Sequence, residues 1–402
     1  MKNNLISNRV KSIKPSPTMA VTSKARELKE AGKDVIGLGA GEPDFDTPIH
    51  IKKAAIKAIN EGKTKYTAVD GIPDLKKAII KKFLKDNNLS FKTSEVSVGT
   101  GGKQILYNAL QASINKGDEV IIPAPYWVSY PDMVILAEGI PIIIQTNEEN
   151  NFKISINALE EAISEKTKWL ILNSPSNPTG SCYSKEELKE IGNLLEKYEH
   201  INILSDDIYE KVVYENFAFN TFAQVNPNLK SRTLTVNGVS KAYSMTGWRI
   251  GYAAGNDELI KAMAKIQSQS TSNPTSISQY AALEALSADE KFIDKNNMVF
   301  LKRRNLIIEL INNSLGINCK KPDGAFYIFP SCQELIGKRT NKGNIISNSN
   351  DFCRYLLEEV GVAAVPGIAF GMENYFRISY ATSESILKEA GLRIIKACSK
   401  LS

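Results

Sequence analysis

Short hydrophobic runs alternate with longer amphipathic segments through the middle of the chain, between residues 95 and 254. The short runs are rich in Val, Ile and other β-forming residues and predict strands. They fall at 95–98, 119–123, 141–145, 168–173, 201–206, 233–237 and 249–254. Most segments between them have the spacing of amphipathic helices, for example 102–114 and 185–198. This repetition of strand and helix predicts a mostly parallel sheet covered by helices on both faces.

The N-terminal end of the chain has a different pattern. Residues 1–17 include Pro15 and Pro17, which predict an arm without a regular helix. A helix is predicted at 18–31 and a short strand at 35–39. Pro48 suits the first turn of the next helix, which should run to about residue 60.

The C-terminal part is mixed. It is mainly helical from residue 255 to about 315, and strands follow near 326–329, 362–365 and 375–380, with an exposed polar loop at 341–350 and a closing helix from 384. We therefore predict an α/β fold in which a large domain carries a mostly parallel sheet between helices and a smaller α+β domain is built from both termini. The expected boundaries are 1–48 for the N-terminal arm and part of the small domain, 49–288 for the large domain, and 289–402 for the small C-terminal domain.

Composition excludes several classes of protein. The chain has 402 residues, of which 43% are hydrophobic and 23% charged, as is typical of a globular protein with a large core. No apolar run approaches the roughly 18 residues that cross a bilayer, and residues 1–8 lack the apolar core of a secretory signal, so we expect a cytoplasmic protein. The net charge is +6, but the lysines are spread along the chain, so we expect no nucleic-acid and no membrane partner.

The side chains available for catalysis are restricted as well. Five cysteines are scattered without CxxC spacing, which indicates reduced thiols. The two histidines, His50 and His200, lie far from each other and from any cysteine pair or serine motif. We therefore expect no metal site and no Ser-His-Asp triad. The chemistry has to come from lysine, carboxylates, tyrosine or a cofactor.

Polar segments follow four of the predicted strands. These segments are 99–103, 173–180, 206–209 and the stretch from 238 that contains Lys241. In an open parallel sheet, ligands bind outside the carboxyl ends of the strands. The four segments should therefore converge on one ligand. Gly101 and Gly102, at the start of a predicted helix, favour an anion such as phosphate.

Two common nucleotide-binding motifs do not fit this region. The glycine segment is not a Walker A loop, because the first glycine of that motif is missing and Gln104 replaces its Ser or Thr. No Gly-x-Gly-x-x-Gly follows the first strand, which disfavours a nicotinamide-dependent dehydrogenase.

Three residues admit both a structural and a chemical interpretation. Lys241 lies on a turn eight residues before Arg249, and a lysine near other cations or in a dry pocket becomes a nucleophilic amine suited to Schiff-base chemistry. Most lysines, however, are solvated surface charges. Asp206 could cap a turn, or it could hold a protonated ring nitrogen. Trp127 could belong to the core, or it could offer a stacking face to a flat ring.

The segment 238–251, Gly-Val-Ser-Lys-Ala-Tyr-Ser-Met-Thr-Gly-Trp-Arg-Ile-Gly, resembles the lysine-attachment signature of class I pyridoxal-phosphate aminotransferases of fold type I. Other motifs similar to this family cover nearly the whole chain. They are Gly-Glu-Pro-Asp-Phe (41–45), Lys-Tyr-Thr (65–67), Gly-Gly-Lys-Gln (101–104), Tyr-Trp-Val-Ser-Tyr (126–130), Asn-Pro-Thr-Gly (177–180), Asp-x-Ile-Tyr (206–209), Gly-Ala-Phe-Tyr (324–327) and Phe-Arg-Ile-Ser-Tyr (376–380). The resemblance implies a homodimer with composite active sites and pyridoxal 5'-phosphate as the cofactor.

The resemblance also implies a role for each matched residue, with Lys241, Asp206 and Tyr209 as the catalytic ones. Around the cofactor they are Lys241 for the Schiff base, Asp206 for the pyridine nitrogen, Tyr209 and Asn177 for the ring hydroxyl, Trp127 for stacking, Gly101, Gly102 and Arg249 for the phosphate, Tyr66 of the partner subunit for the phosphate, and Ser240 and Lys103 as further contacts. Around the substrate they are Arg377 for the α-carboxylate, with Gly39, Trp127 and Asn177.

Two departures from the family pattern bear on ligand binding. Many members have a phosphate-binding serine three residues before the lysine, where this chain has Gly238, so phosphate ligation would be lighter. Classical aspartate aminotransferases supply an arginine for the distal carboxylate from the partner subunit, shortly before Ser-Asn-Pro, where this chain has Ser268. One branch of the family is similar in this respect and uses the lysine of Gly-Gly-Lys for the second carboxylate of the substrate. That lysine is Lys103 here, for which a phosphate contact or solvent exposure is the alternative.

This branch includes enzymes that also accept prephenate, and residues 14–20 resemble their lid segment, with Thr18 as a contact. The expected reaction is transamination between aspartate or glutamate and 2-oxo acids such as oxaloacetate and 2-oxoglutarate. Conversion of prephenate to arogenate is left open. A carbon–sulfur lyase or an aromatic aminotransferase of the same fold is the alternative. A regulator of this fold is disfavoured, because an arm of about 17 residues cannot supply a DNA-binding module.

Overall fold

A computed structural model of the protein describes residues 5–215 and 217–402. These residues form twelve strands. They are β1 (Ile36–Gly37), β2 (Val96–Gly99), β3 (Glu119–Ala124), β4 (Ile140–Gln145), β5 (Thr167–Asn173), β6 (Asn202–Asp206), β7 (Thr233–Gly238), β8 (Gly251–Ala254), β9 (Tyr327–Ile328), β10 (Val362–Ala363), β11 (Val365–Pro366) and β12 (Phe376–Ser379).

The described residues also form fourteen α-helices. They are α1 (Asn8–Lys11), α2 (Pro17–Glu30), α3 (Ile49–Asn60), α4 (Pro73–Asn87), α5 (Gly102–Ser113), α6 (Tyr130–Leu136), α7 (Ile156–Ala162), α8 (Lys185–Leu195), α9 (Phe222–Val225), α10 (Asp257–Ser268), α11 (Ser276–Ser287), α12 (Lys291–Asn312), α13 (Ser349–Val360) and α14 (Glu384–Cys398).

A seven-stranded sheet forms the centre of the large domain, in the order β2-β8-β7-β6-β5-β3-β4. Strands β3 to β7 pair in parallel with their neighbours among themselves. Strand β8 runs antiparallel to both β2 and β7. The connection from β7 to β8 contains no α-helix that could carry the chain back across the sheet, and a parallel pair needs such a crossover. This short connection is the segment that contains Lys241.

Both faces of the sheet are buried, as the hydrophobic runs predict. Alternate residues of β3 point to opposite sides: Val120 and Ile122 pack in a cluster with α5, α6 and α10, whereas Ile121 packs in another cluster with α7 and α8. The period of two follows from the pleat of a strand. The mostly parallel sheet between helices is therefore confirmed.

The smaller domain combines both ends of the chain. Strand β1 pairs in parallel with β10, and β11, β12 and β9 form an antiparallel sheet. Helices α12, α13 and α14 contribute to the hydrophobic core that covers this sheet. The α/β fold class with a smaller α+β domain is therefore confirmed, whereas the residue boundaries 1–48, 49–288 and 289–402 stay a prediction.

The structure corrects several details of the predicted elements. The N-terminal arm contains a short helix, α1, whose first turn is capped by the Ser7 side chain. Pro17 starts α2 rather than preventing a helix, because the first helical position needs no backbone N–H donor. The predicted strand 362–365 is divided into β10 and β11, and the strand predicted from 249 starts at Gly251, since Arg249 has a left-handed backbone. The predicted exposed loop 341–350 is exposed at most positions, but Ile346 and Ser349 are buried, and α13 begins at Ser349.

Two further kinds of feature are absent from the part of the chain that the structure describes. Within 5–215 and 217–402, no helix is long and apolar enough to cross a membrane. The same residues contain no group of three or more His, Cys, Asp or Glu side chains that could hold a metal ion.

Candidate active site

A cavity of about 500 Å³ lies at the carboxyl edge of the large sheet, facing the small domain. The turns after β5, β6 and β7 and the start of α5 form one wall, and residues of α2, β9 and β12 form the other. Twelve of the predicted site residues line it, namely Thr18, Gly39, Gly102, Lys103, Trp127, Asn177, Asp206, Tyr209, Ser240, Lys241, Arg249 and Arg377. The polar segments predicted to converge at this edge are brought together.

Lys241 lies on the turn between β7 and β8, with its amine directed at the small-domain side of the cavity. Its Nζ donates a hydrogen bond to the carbonyl oxygen of Gly41 and lies 5.7 Å from the centre of the Tyr209 ring. Burial, and next the Arg377 guanidinium, lower the pKa of Lys241 to about 8. About a tenth of this amine is therefore neutral and nucleophilic at pH 7, far more than for a lysine with the usual pKa.

Asp206 is the last residue of β6 and is almost completely buried. Its Oδ2 accepts a hydrogen bond of 2.6 Å from the hydroxyl of Tyr130, and its Oδ1 accepts a weak one of 3.4 Å from the backbone of Ile208. Burial raises the pKa of Asp206 to about 6, although the Tyr130 hydrogen bond and the charge of Lys241 oppose that rise. The carboxylate is thus ionised at neutral pH and faces a cationic partner across the cavity.

Tyr209 follows Asp206 by one tight turn, and its hydroxyl lies 2.7 Å from that of Tyr327 on β9. Tyr327 in turn stacks against Arg377, whose guanidinium carbon lies 4.4 Å from the ring centre. A Cβ on Gly41 would lie 2.9 Å from the Tyr327 hydroxyl, so only glycine allows this approach. The two tyrosines therefore link the turn after β6 to the small domain.

Gly101, Gly102 and Arg249 form a concave cradle at the start of α5. Gly101 has φ +81°, and a Cβ built on it would lie 2.2 Å from Nη2 of Arg249. A Cβ on Gly251 would lie 2.2 Å from the backbone nitrogen of Gly102. The glycines let the backbone N–H groups, the positive end of α5 and a guanidinium share one small space. Such a group of donors binds phosphate well.

Arg377 on β12 is buried and held from three sides. Its Nη1 donates 2.8 Å to Oδ1 of Asn177, and its Nη2 donates 2.6 Å to the carbonyl oxygen of Gly39. Its Nε is buried and has no hydrogen-bond partner in the part of the chain that the structure describes. A buried donor without a partner is costly. Arg377 also lines the cavity, where a guanidinium suits a carboxylate.

Lys103 and Trp127 lie together where the large domain lines the cavity, whereas Arg377 lines it from the small domain. The Lys103 Nζ lies 4.8 Å from the centre of the Trp127 ring. Burial, and next the charge of Arg249, lower the pKa of Lys103. Trp127 makes an edge-on contact with Tyr130, with ring centres 5.3 Å apart. Thr18 lines the mouth of the cavity from α2.

Two predicted residues do not line the cavity of their own chain. Gly101 lies behind Arg249, which it contacts. Tyr66 is 91% exposed and lies outside the cavity, as a residue offered to a partner subunit would. Sequence reasoning gave no role to Tyr130, Tyr327 or Asn173, all of which line the cavity. The first two belong to motifs already noted, Tyr-Trp-Val-Ser-Tyr and Gly-Ala-Phe-Tyr, which was the available signal.

Comparison with known families decides the assignment. The family model described as aminotransferase class I and II matches residues 33–394. The chain belongs to this family. Within it, a probable aspartate/prephenate aminotransferase of Rickettsia felis is 59% identical over 99% of this chain and 97% of its own length. An aspartate/prephenate aminotransferase of Cereibacter sphaeroides is 57% identical over 99% of both chains.

Solved structures of aminotransferases agree with the fold. The crystal structure of the aspartate aminotransferase from Rhizobium meliloti has a TM-score of 0.96 and 52% identity, and the match covers 99% of both chains. The aspartate aminotransferase from Thermus thermophilus with maleate has a TM-score of 0.92 and 42% identity, over 98% of this chain and 99% of that one. The predicted family, enzyme class and fold are confirmed.

Proposed function

We propose that this aminotransferase uses pyridoxal 5'-phosphate to transfer amino groups between aspartate or glutamate and 2-oxo acids. The observation that carries the proposal is that Lys241 and the buried Asp206 line one cavity beside the glycine–arginine cradle. The pKa of Lys241 is lowered to about 8, and that of Asp206 is raised to about 6. When bound, pyridoxal phosphate supplies an electron sink for the electrons released at the substrate α-carbon.

The cavity has the groups that this cofactor needs. The cradle of Gly101, Gly102 and Arg249 would hold the phosphate, and added side chains at either Gly101 or Gly251 would fill it. Asp206 would hold the protonated ring nitrogen, because an ionised carboxylate stabilises the pyridinium charge. Trp127, Tyr209, Asn177 and Ser240 would contact the ring, and Lys241 would attach the cofactor through its amine.

Lys241 is also placed to act as a general acid and base. Its amine is neutral in part near neutral pH, and the Gly41 carbonyl holds it on the side of the cavity where Arg377 lies. Once the substrate amino group has displaced it from the cofactor, the free amine lies beside the site for the α-carboxylate, where it can move a proton between the α-carbon and the cofactor. Tyr209, held by Tyr327, keeps a phenol hydroxyl within the same space.

Two cations that line the cavity from different domains support the proposed substrate class. Arg377 would bind the α-carboxylate, and Lys103 the second carboxylate of a dicarboxylic substrate. The relatives support this proposal, since one was solved with maleate, a four-carbon dicarboxylate. Relatives are named for prephenate as well as aspartate, so we propose prephenate as a further amino acceptor, with Thr18, which lines the cavity, as a contact.

The proposed functional unit is a homodimer. The exposure of Tyr66 supports a site completed by Tyr66 of the partner subunit. Ser268, at the end of α10, is exposed and outside the cavity of its own chain. The cytoplasmic location stays a prediction from the sequence.

An absorbance experiment tests the proposal. Pyridoxal phosphate added to the purified protein should produce a visible band that L-aspartate converts to a band at shorter wavelength, and oxaloacetate or prephenate should restore the first band. Lys241→Ala should abolish the band, whereas Lys116→Ala, at an exposed site, should leave it unchanged. Absence of the band in the wild-type protein would refute the cofactor assignment. A band that neither aspartate nor glutamate alters would refute the substrate class, and release of ammonia and a thiol from cysteine conjugates would favour the lyase.

A further inference from the structure

Tyr130, the first residue of α6, contacts two of the residues predicted to hold the cofactor. Its hydroxyl donates to Oδ2 of Asp206 over 2.6 Å, and its ring lies edge-on to Trp127 at an interplanar angle of 81°. Tyr130 is 2% exposed, and hydrophobic side chains of α5, α6 and the sheet surround it. This packing leaves the phenol one orientation, with its hydroxyl at the carboxylate.

The carboxylate of Asp206 depends on few groups. In the described part of the chain, Tyr130 is the one side chain that donates a hydrogen bond to it, and the second donor is the backbone N–H of Ile208. The charged and titratable groups that act on it are Lys241 from the turn after β7, Tyr130 from α6, and Tyr209 from its own turn.

Burial and the neighbouring groups have opposite effects on the charge of Asp206. Burial disfavours the charged form of Asp206, whereas the Tyr130 hydroxyl and Lys241 favour it. Burial and the adjacent carboxylate raise the pKa of Tyr130 well above its usual value, so Tyr130 stays protonated and can only act as a donor to Asp206. Without the hydroxyl, the balance at Asp206 shifts towards the neutral acid, which cannot stabilise a protonated ring nitrogen.

We propose that Tyr130 is a positioning residue, which keeps Asp206 ionised and directed into the cavity at neutral pH. The inference rests on the proposed pyridoxal phosphate function, since it assigns the reason why Asp206 can serve that cofactor. If the Tyr130 ring only filled space, phenylalanine at this position would pack equally well. The hydroxyl is therefore the group to remove.

The test compares Tyr130→Phe with wild type and with Tyr355→Phe. Tyr355 is a matched control, because it is also buried and also donates one hydrogen bond, to the carbonyl oxygen of Ala397 in the small domain. The affinity of each cofactor-free protein for pyridoxal phosphate is measured by absorbance between about pH 5 and pH 9, a range that contains the titration of a carboxyl group with a raised pKa.

Wild type should lose affinity as the pH falls through about 6, where Asp206 becomes protonated. In Tyr130→Phe this loss should occur about one pH unit higher, the shift expected for a lost hydrogen bond to a charged group. Tyr355→Phe should follow wild type. An unshifted profile in Tyr130→Phe, or an equal loss at every pH, would overturn the inference and leave only a packing role. If wild type itself shows no cofactor band, the proposed function fails instead.

A second variant keeps the inference testable if Tyr130→Phe does not fold. Fluorotyrosine incorporated at position 130 keeps the ring and makes its hydroxyl a stronger donor, so the same loss of affinity should move to lower pH. Carboxyl ¹³C NMR of the cofactor-free protein follows the protonation of Asp206 without any cofactor. A midpoint that fluorotyrosine does not move, or moves upward, would contradict the proposed role of the hydroxyl.

Discussion

Gly101→Ala is the sharpest test of the proposed phosphate cradle. The change adds one methyl group, which would lie 2.2 Å from Nη2 and 2.8 Å from Cζ of Arg249. Gly117→Ala is a matched control: its backbone also has positive φ, +91°, but no atom lies within 4 Å of the added Cβ. Both variants strain the backbone, and only Gly101→Ala disturbs the cradle.

The two variants should differ in cofactor affinity but share a loss of stability. A non-glycine residue in this part of conformational space costs about 1–3 kcal/mol, so both variants should lose that much unfolding free energy. The clash at Gly101 is relieved when the Arg249 guanidinium moves out of the cradle, where it would no longer donate a hydrogen bond to the phosphate. Losing one hydrogen bond to a charged group costs about 1.5–3 kcal/mol. The affinity for pyridoxal phosphate should therefore fall by about tenfold to a hundredfold in Gly101→Ala.

Two measurements on the purified variants check this. Urea unfolding of the cofactor-free proteins gives the stability loss, and absorbance titration with pyridoxal phosphate gives the affinity. We expect Gly117→Ala to lose stability but keep wild-type affinity, and Gly101→Ala to lose both. The reasoning is refuted if Gly101→Ala binds the cofactor as tightly as Gly117→Ala does, because Arg249 and Gly101 would then take no part in phosphate binding.

Three further predictions concern lysines. Lys82→Met should lower the free energy of unfolding by about 3–5 kcal/mol, because it leaves a buried carboxylate without its partner. The exposed Lys81→Met should change it by less than about 0.5 kcal/mol, and equal losses in urea unfolding would contradict this difference. Lys103→Met should raise KM for aspartate about tenfold or more but leave KM unchanged for an amino acid without a side-chain carboxylate. Equal increases for both substrates would assign Lys103 to the cofactor. Covalent capture of pyridoxal phosphate should accelerate up to about pH 8 and then level off, because the neutral amine of Lys241 predominates above its lowered pKa; continued acceleration towards pH 10.5 would contradict that value.

Most of the fold could be predicted from the sequence, because it depends on local patterns. Each of the seven predicted strands of the large sheet is present within two residues of its expected ends. The errors lie where a single backbone conformation or a cap decides the outcome, as at Arg249 and Ser7. Hydrophobic periodicity does not report those features.

The candidate site divides in the same way. Lys241, Asp206 and the cradle glycines could be located because each lies at a strand end or helix start, where the neighbouring residues determine the backbone. Lys82 lies outside the cavity, and its burial could not be predicted, since its sequence neighbours resemble those of any exposed lysine. It is buried because α4 packs against the turn after β6, where Glu210 pairs with it.

The sequence by itself determined which residues lie at the carboxyl edge of the sheet, because strand direction and turn position are local properties. Only the tertiary structure decided their chemical state. Arg377 meets the Gly39 carbonyl across 338 residues of chain, and Tyr130 meets Asp206 across 76. Burial and the approach of distant charges set the pKa of Lys241 and of Asp206, and neither is encoded near those residues. Electrostatic interactions act through space, so the state of the site follows from how the chain packs.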